Sequence, residues 1–251
     1  MTRLFEADLN CRVFGEFSAL SDADKVAGIR LNPLPDVAAI ISRVPAPLVV
    51  AKPLVETQNV LTLLNYFPGS KGLFMYRRCA DVARSDLVKF GARNAIENIR
   101  PIAEGTRHNW RAAGASSTVR ELVTRFYSER MNPNDAAALF WFARNRLYFE
   151  LNLAAHPAVF LCRYEHLVQE PAQLVRSIYD FLALPCPDLS HTAEVHSASL
   201  QKGKDLDISA DIRNECERLQ ARLDSHYELQ ARSRLNADGS PEVLRGAAEN
   251  A

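Results

Sequence analysis

The chain has no surplus of charge. Thirty Lys and Arg balance thirty Asp and Glu over 251 residues, for a formal net charge of zero. That balance argues against a whole-molecule field drawing it to nucleic acid or an anionic membrane, so any anion site must be a local arrangement of a few groups. Cysteine is sparse and odd in number: Cys11, Cys79, Cys162, Cys186 and Cys216 share no C-x-x-C spacing. This argues against a disulfide framework or a cysteine zinc site and reads as reduced thiols of a cytoplasmic protein. The histidines at 108, 156, 166, 191, 196 and 226 form no ligand spacing, so no metal is expected. No apolar run approaches the roughly 20 residues of a membrane span. Arg3, Glu6 and Asp8 interrupt the segment a secretory signal would need. The phosphate-binding run G-x-x-x-x-G-K-[ST] is also absent, which leaves a nucleotide-kinase-like enzyme as a distant alternative.

What is present is ordinary globular material, 47% hydrophobic and 24% charged, read as one domain over residues 1–235 with a small, polar, disordered tail over 236–251. Leu48–Ala51, Leu73–Tyr76 and Val159–Tyr164 are short apolar runs bounded by Pro and Gly and read as buried strands. Cys11–Phe14 reads as another, behind the helical Leu4–Leu9. Residues 21–47 hold Pro33, Pro35, Pro45 and Pro47 around a helical patch at Val37–Ile41, and Val55–Tyr66 has helical spacing. Strand, helix, strand, helix with short connections implies a parallel sheet with right-handed crossovers. From 92 to 155 the texture is helical (Asn94–Glu104, Thr118–Ser128, Asn134–Leu153), a helical insertion into the α/β pattern. Further helices follow Pro171 and run from Ala210 to about Arg232.

The richest segment is GLFMYRRCADVARS, Gly72 to Ser85. Asp81 is placed to cap a helix from Val82 towards Phe90. Arg77 then stands at a strand's carboxyl end, and Ser85 lies eight positions on (85 − 77) in the early helix. Carboxyl ends of parallel strands and helix N-termini are where anions bind, and a guanidinium with a hydroxyl suits a phosphate monoester.

Together, several segments resemble the sulfotransferases that use 3′-phosphoadenosine 5′-phosphosulfate (PAPS). Arg77 to Ser85 is similar to that family's 3′-phosphate-binding strand and helix. Lys52, ending VVAKPL, sits where the family places a lysine beside the sulfuryl group. RYEHLVQEPAQLVRSIYDFLALP, Arg163 to Pro185, resembles its RYEDL segment. HSASLQKGK, His196 to Lys204, resembles the loop that closes over the nucleotide. The resemblance implies a P-loop-NTPase-like α/β fold with a parallel sheet flanked by helices, and PAPS as co-substrate without a metal. Arg77, Ser85, Tyr164, Lys202 and Gly203 would bind it. Lys52 would be the catalytic cation and Glu16, in VFGEF, a base, because the family's K-x-H histidine is replaced by Leu54. Glu56, four beyond Lys52, reads as a helical ion-pair partner for it. Trp110, Trp141, Phe142 and Tyr148 read as core aromatics, and Arg144 and Arg146 as buried partners of Glu150.

The family's R-S-G-T/S-T phosphate loop and the strand before it are missing from this sequence. Either the true start lies upstream of Met1, or the chain is a catalytically inactive relative that serves as a binding module. The acceptor, a small molecule or a glycan, would be set by the 92–155 insertion; the sequence does not fix it or the oligomeric state.

Overall fold

The computed structural model describes residues 2–24, 28–53, 55–106, 108–189, 203 and 205–237. It is a mixed α/β fold with six strands and ten α-helices among the described residues. The order is α1 (Thr2–Glu6), β1 (Cys11–Phe14), β2 (Ser21–Asp24), β3 (Gly28–Leu31), α2 (Leu34–Ile41), β4 (Leu48–Ala51), α3 (Val60–Tyr66) and β5 (Gly72–Tyr76). The chain continues through α4 (Cys79–Phe90), α5 (Ala92–Glu104), α6 (Ser117–Phe126), α7 (Pro133–Glu150), β6 (Val159–Arg163), α8 (Tyr164–Gln169), α9 (Pro171–Leu182) and α10 (Ala210–Ala237). No described helix is long and apolar enough to cross a membrane.

The expected parallel pairing is present, divided into two ladders. β1 runs parallel to β4, with Cys11 opposite Leu48 and Phe14 opposite Ala51. β5 runs parallel to β6, with Gly72 opposite Val159 and Tyr76 opposite Arg163. β2 and β3 pair as an antiparallel hairpin ahead of Pro33, an addition to the expected strands.

The two ladders share one apolar layer. Cys11, Val13, Leu48 and Val50 from the first and Leu73, Met75, Phe160 and Cys162 from the second pack with Leu4 and Phe5 of α1 and with Leu174, Val175 and Ile178 of α9. These strand residues alternate along the chain, as a side-chain period of two requires. The intervening residues face the other way. Phe74, Tyr76, Val159 and Leu161 pack on α4, α7 and α10, and Phe14 and Val49 pack beside Val37 and Ile40 of α2. Asp8 binds α9 to this layer by accepting the Tyr179 hydroxyl at 2.7 Å.

The helical layer starts where its caps stand. The Ser116 side chain accepts the Val119 N–H at the head of α6. Asn132 accepts the Asn134 N–H at the head of α7, with Pro133 in the first position, where its missing N–H costs nothing. α10 runs five residues past the expected end, to Ala237. It crosses the outer edge of β6, where the Gln230 side chain accepts the Leu161 N–H and donates to the Leu161 carbonyl, both at 3.0 Å. A single amide thus stands in for a neighbouring strand and closes an exposed edge.

Candidate functional site

The carboxyl ends of β5 and β6 converge on the first turn of α4. Arg77 follows β5, and its largely buried guanidinium lies over the Tyr164 ring, 4.7 Å from the centroid, with Asp81 Oδ2 3.9 Å from Nη2. Tyr164 opens α8 directly after β6. Arg77 and Tyr164, both nominated from the sequence, are thus in contact, with Tyr164 serving as a platform for the arginine. A guanidinium held flat on an aromatic face keeps its N–H fork oriented at little entropic cost.

α4 begins three residues earlier than expected, at Cys79, so Asp81 is not its cap but lies inside its first turn. The capping role passes to a different carboxylate. Glu165, 4% exposed, accepts the Arg78 N–H at 3.0 Å from across the sheet end. Trp141 of α7 secures the same turn by donating its indole N–H to the Arg77 carbonyl at 2.9 Å. These two contacts fix the backbone on either side of the β5–α4 junction and so aim the Arg77 side chain. The Arg78 side chain is exposed.

Asp81 instead holds Gly203. Its Oδ1 accepts the Gly203 N–H at 2.9 Å. A Cβ on Gly203 would sit 2.1 Å from the Ala80 carbonyl oxygen, so only glycine permits this close approach. Gly203 is thereby brought onto the α4 N-terminus beside Arg77. Lys202, its neighbour in the chain, lies outside the described residues, as do His196 and the tail from Asp238 on. Ser85 is exposed at the end of the second turn of α4; Asp81, one turn nearer, is the α4 side chain that approaches Arg77.

A second arrangement closes the other ladder. Glu16 follows β1 and Lys52 follows β4, and Lys52 Nζ meets Glu16 Oε1 at 2.6 Å with the lysine half exposed. The two residues nominated for transfer chemistry, 36 positions apart, are therefore in direct contact because β1 and β4 are register partners. Glu56 is not the partner of Lys52. It is buried and takes Arg30 of β3 by two hydrogen bonds of 2.6 and 3.2 Å, together with the Asn59 side chain and the Leu31 N–H. Burial pushes its carboxyl up, but those hydrogen bonds outweigh it and hold the pKa below the ordinary value.

The aromatic residues of α7 are core as expected: Trp141, Phe142 and Tyr148 are buried. Arg146 pairs with Glu150 at 3.4 Å. Arg144 departs from expectation: it donates to the Trp110 carbonyl and to Gln58 rather than to Glu150. Among the described residues no group of His, Cys, Asp and Glu could hold a metal ion.

No protein-family sequence profile and no curated protein matches the chain. Among solved structures it is similar to a sulfotransferase domain from the curacin biosynthetic pathway, at 18% identity and a TM-score of 0.48 over 75% of this chain and 66% of that one. The match thus spans just under two thirds of that domain's length. It is also similar to a sulfotransferase from Alicyclobacillus acidocaldarius, at 14% identity and a TM-score of 0.45 over 94% of this chain and 91% of the other.

Proposed function

We propose that the protein is a sulfotransferase that moves the sulfuryl group of PAPS to a hydroxyl or amine of a small-molecule or glycan acceptor. The observation that carries this reading is the meeting of Arg77, Tyr164 and the Gly203 backbone at one strand end. Three separated motifs resembling one family's nucleotide-binding segments converge there, around a guanidinium suited to a phosphate monoester. In this reading Arg77 takes the 3′-phosphate, Ser85 approaches it from α4, and Lys202 beside Gly203 completes the cover.

Sulfuryl transfer, like phosphoryl transfer, goes in line through a loose transition state, so positioning and charge stabilisation are the protein's main contributions. Lys52 stabilises negative charge on the departing oxygen. Glu16 takes the acceptor's proton once the acceptor replaces the lysine at its carboxylate. The helical part over 92–155 bounds the acceptor, and the reaction is cytoplasmic. The two parallel ladders share a core layer, which supports a parallel sheet flanked by helices.

The test is calorimetric titration with 3′,5′-diphosphoadenosine. Arg77→Ala is expected to weaken binding by roughly 100-fold, since it removes a charge-assisted contact at a largely buried site. Unchanged affinity in that variant would falsify the assignment. The alternative reading is an inactive relative that serves as a binding module. That reading expects wild-type affinity for the diphosphonucleotide with no turnover of PAPS on any acceptor.

A further inference from the structure

The helical layer carries a polar cluster that the transfer chemistry leaves unused. Two guanidiniums lie over the Trp110 ring, with Arg111 Cζ 4.6 Å and Arg144 Cζ 5.5 Å from its centroid. Arg144 comes from α7 and donates to neutral acceptors, the Trp110 carbonyl at 3.1 Å and Gln58 Oε1 at 2.6 Å. Arg111 uses Nε on Asn98 Oδ1 at 2.7 Å, and its two Nη groups donate to no described residue. The carboxylates whose fields reach this pair are already committed. Glu56 near Arg144 is held by Arg30, and Glu97 near Arg111 is held by Arg93 at 2.7 Å. Burial accordingly pulls the Arg144 pKa down to about 10.

A half-buried cation without a carboxylate partner is costly to keep, and that cost falls when an anion arrives. The cluster is also rigid. The tryptophan face orients both forks. A Cβ on Gly114 would meet Leu147 at 2.9 Å and Gln58 at 3.3 Å, so the 108–115 loop is pressed against the segment that follows Lys52, whose Gln58 is six positions on (58 − 52). We infer that Arg111 and Arg144 on Trp110 form an anion-recognising subsite on the acceptor side, so that the acceptor carries a carboxylate, sulfate or phosphate besides the group that is modified. The role as an acceptor subsite rests on the sulfotransferase reading; the anion affinity rests on the cluster alone.

The experiment is calorimetric titration of the whole chain with glucuronate and with 4-hydroxybenzoate, against the neutral analogues glucose and 4-hydroxybenzyl alcohol. Saturating 3′,5′-diphosphoadenosine is present to occupy the Arg77 site. The anionic probes are expected to bind, more weakly as salt rises, and the neutral ones are not. Arg111→Gln should lower the affinity about tenfold or more, and Arg111→Lys less. Equal binding of neutral and anionic probes, no anionic binding, or an Arg111→Gln protein that melts normally and binds as wild type would each overturn the subsite. Anionic probes that bind a protein with no affinity for diphosphoadenosine would leave the subsite standing and remove the sulfotransferase reading instead.

Discussion

The two parallel ladders are built to different standards. In β5–β6, Leu161 and Cys162 are fully buried, the outer edge is covered by Gln230, and the strand ends are tied down by Glu165 and Trp141. In β1–β4, Leu48, Val49 and Val50 are only half-buried, Ala51 is exposed, and the ladder ends in an ion pair open to solvent. The end that presents Arg77 is therefore pre-shaped, whereas the end that presents Lys52 and Glu16 can adjust. That division suits a protein that grips one constant partner firmly and adapts to a variable one.

The contrast is broken most directly by core truncation. Leu161→Ala should cost about 2–5 kcal/mol, as a fully buried leucine does, whereas Val49→Ala should cost about 1 kcal/mol or less because its surroundings can relax. Urea unfolding midpoints compare the two, and equal losses would erase the distinction. Next in size is Glu165→Ala, which leaves the part-buried Arg78 N–H without its acceptor and should cost about 1–3 kcal/mol. It should also lower diphosphoadenosine affinity, while Glu165→Gln, which keeps an acceptor oxygen, should lower it less. Gln230→Ala removes both edge hydrogen bonds for about 1–2 kcal/mol and should speed hydrogen exchange at the Leu161 amide with β1–β4 unaffected.

Much of this architecture was legible in the residues. Gly72–Tyr76, Leu48–Ala51 and Val159–Arg163 are compact apolar runs between breakers, so their strands were readable, and Arg77 and Gly203 were reached through motif order. The hairpin was not, because Ser21–Asp24 places two aspartates in a strand and carries no apolar alternation. Without the hairpin there was no way to give Glu56 its partner: Arg30 is 26 positions away and meets it only because β3 folds over the loop after β4. Glu165 was present in the RYEHL motif, but its role depends on α8 beginning immediately at the sheet end. Asp81 stands three residues inside the helix it was expected to cap, because the Arg78 N–H is held by Glu165 from another element and the helix can start sooner.

The smallest effects sharpen the adjustable end. Lys52→Ala should change stability by less than about 1 kcal/mol, as exposed pairs do, yet should abolish most turnover if the transfer role is right; an active variant would remove that role. The Arg30–Glu56 clasp should show in pH. Glu56 has a folded pKa below its unfolded value, so its stabilisation is complete above that unfolded value and is lost as pH falls through the folded one. Acid melting curves should therefore lose less stability in Glu56→Gln than in the wild type below the ordinary carboxylate range.

The amide of Gln230 carries one more consequence. Because it satisfies Leu161 on both its donor and its acceptor, lateral growth of the sheet terminates at that residue. It does so through a helix, in which a slip of a single position would swing the side chain by about 100°. The rotational phase of α10, fixed by its core residues Ile212, Leu219 and Leu223, is thereby matched to one backbone position on β6. A deletion of one residue anywhere between Ala210 and Gln230 should uncover that flank and let chains of this protein stack strand to strand.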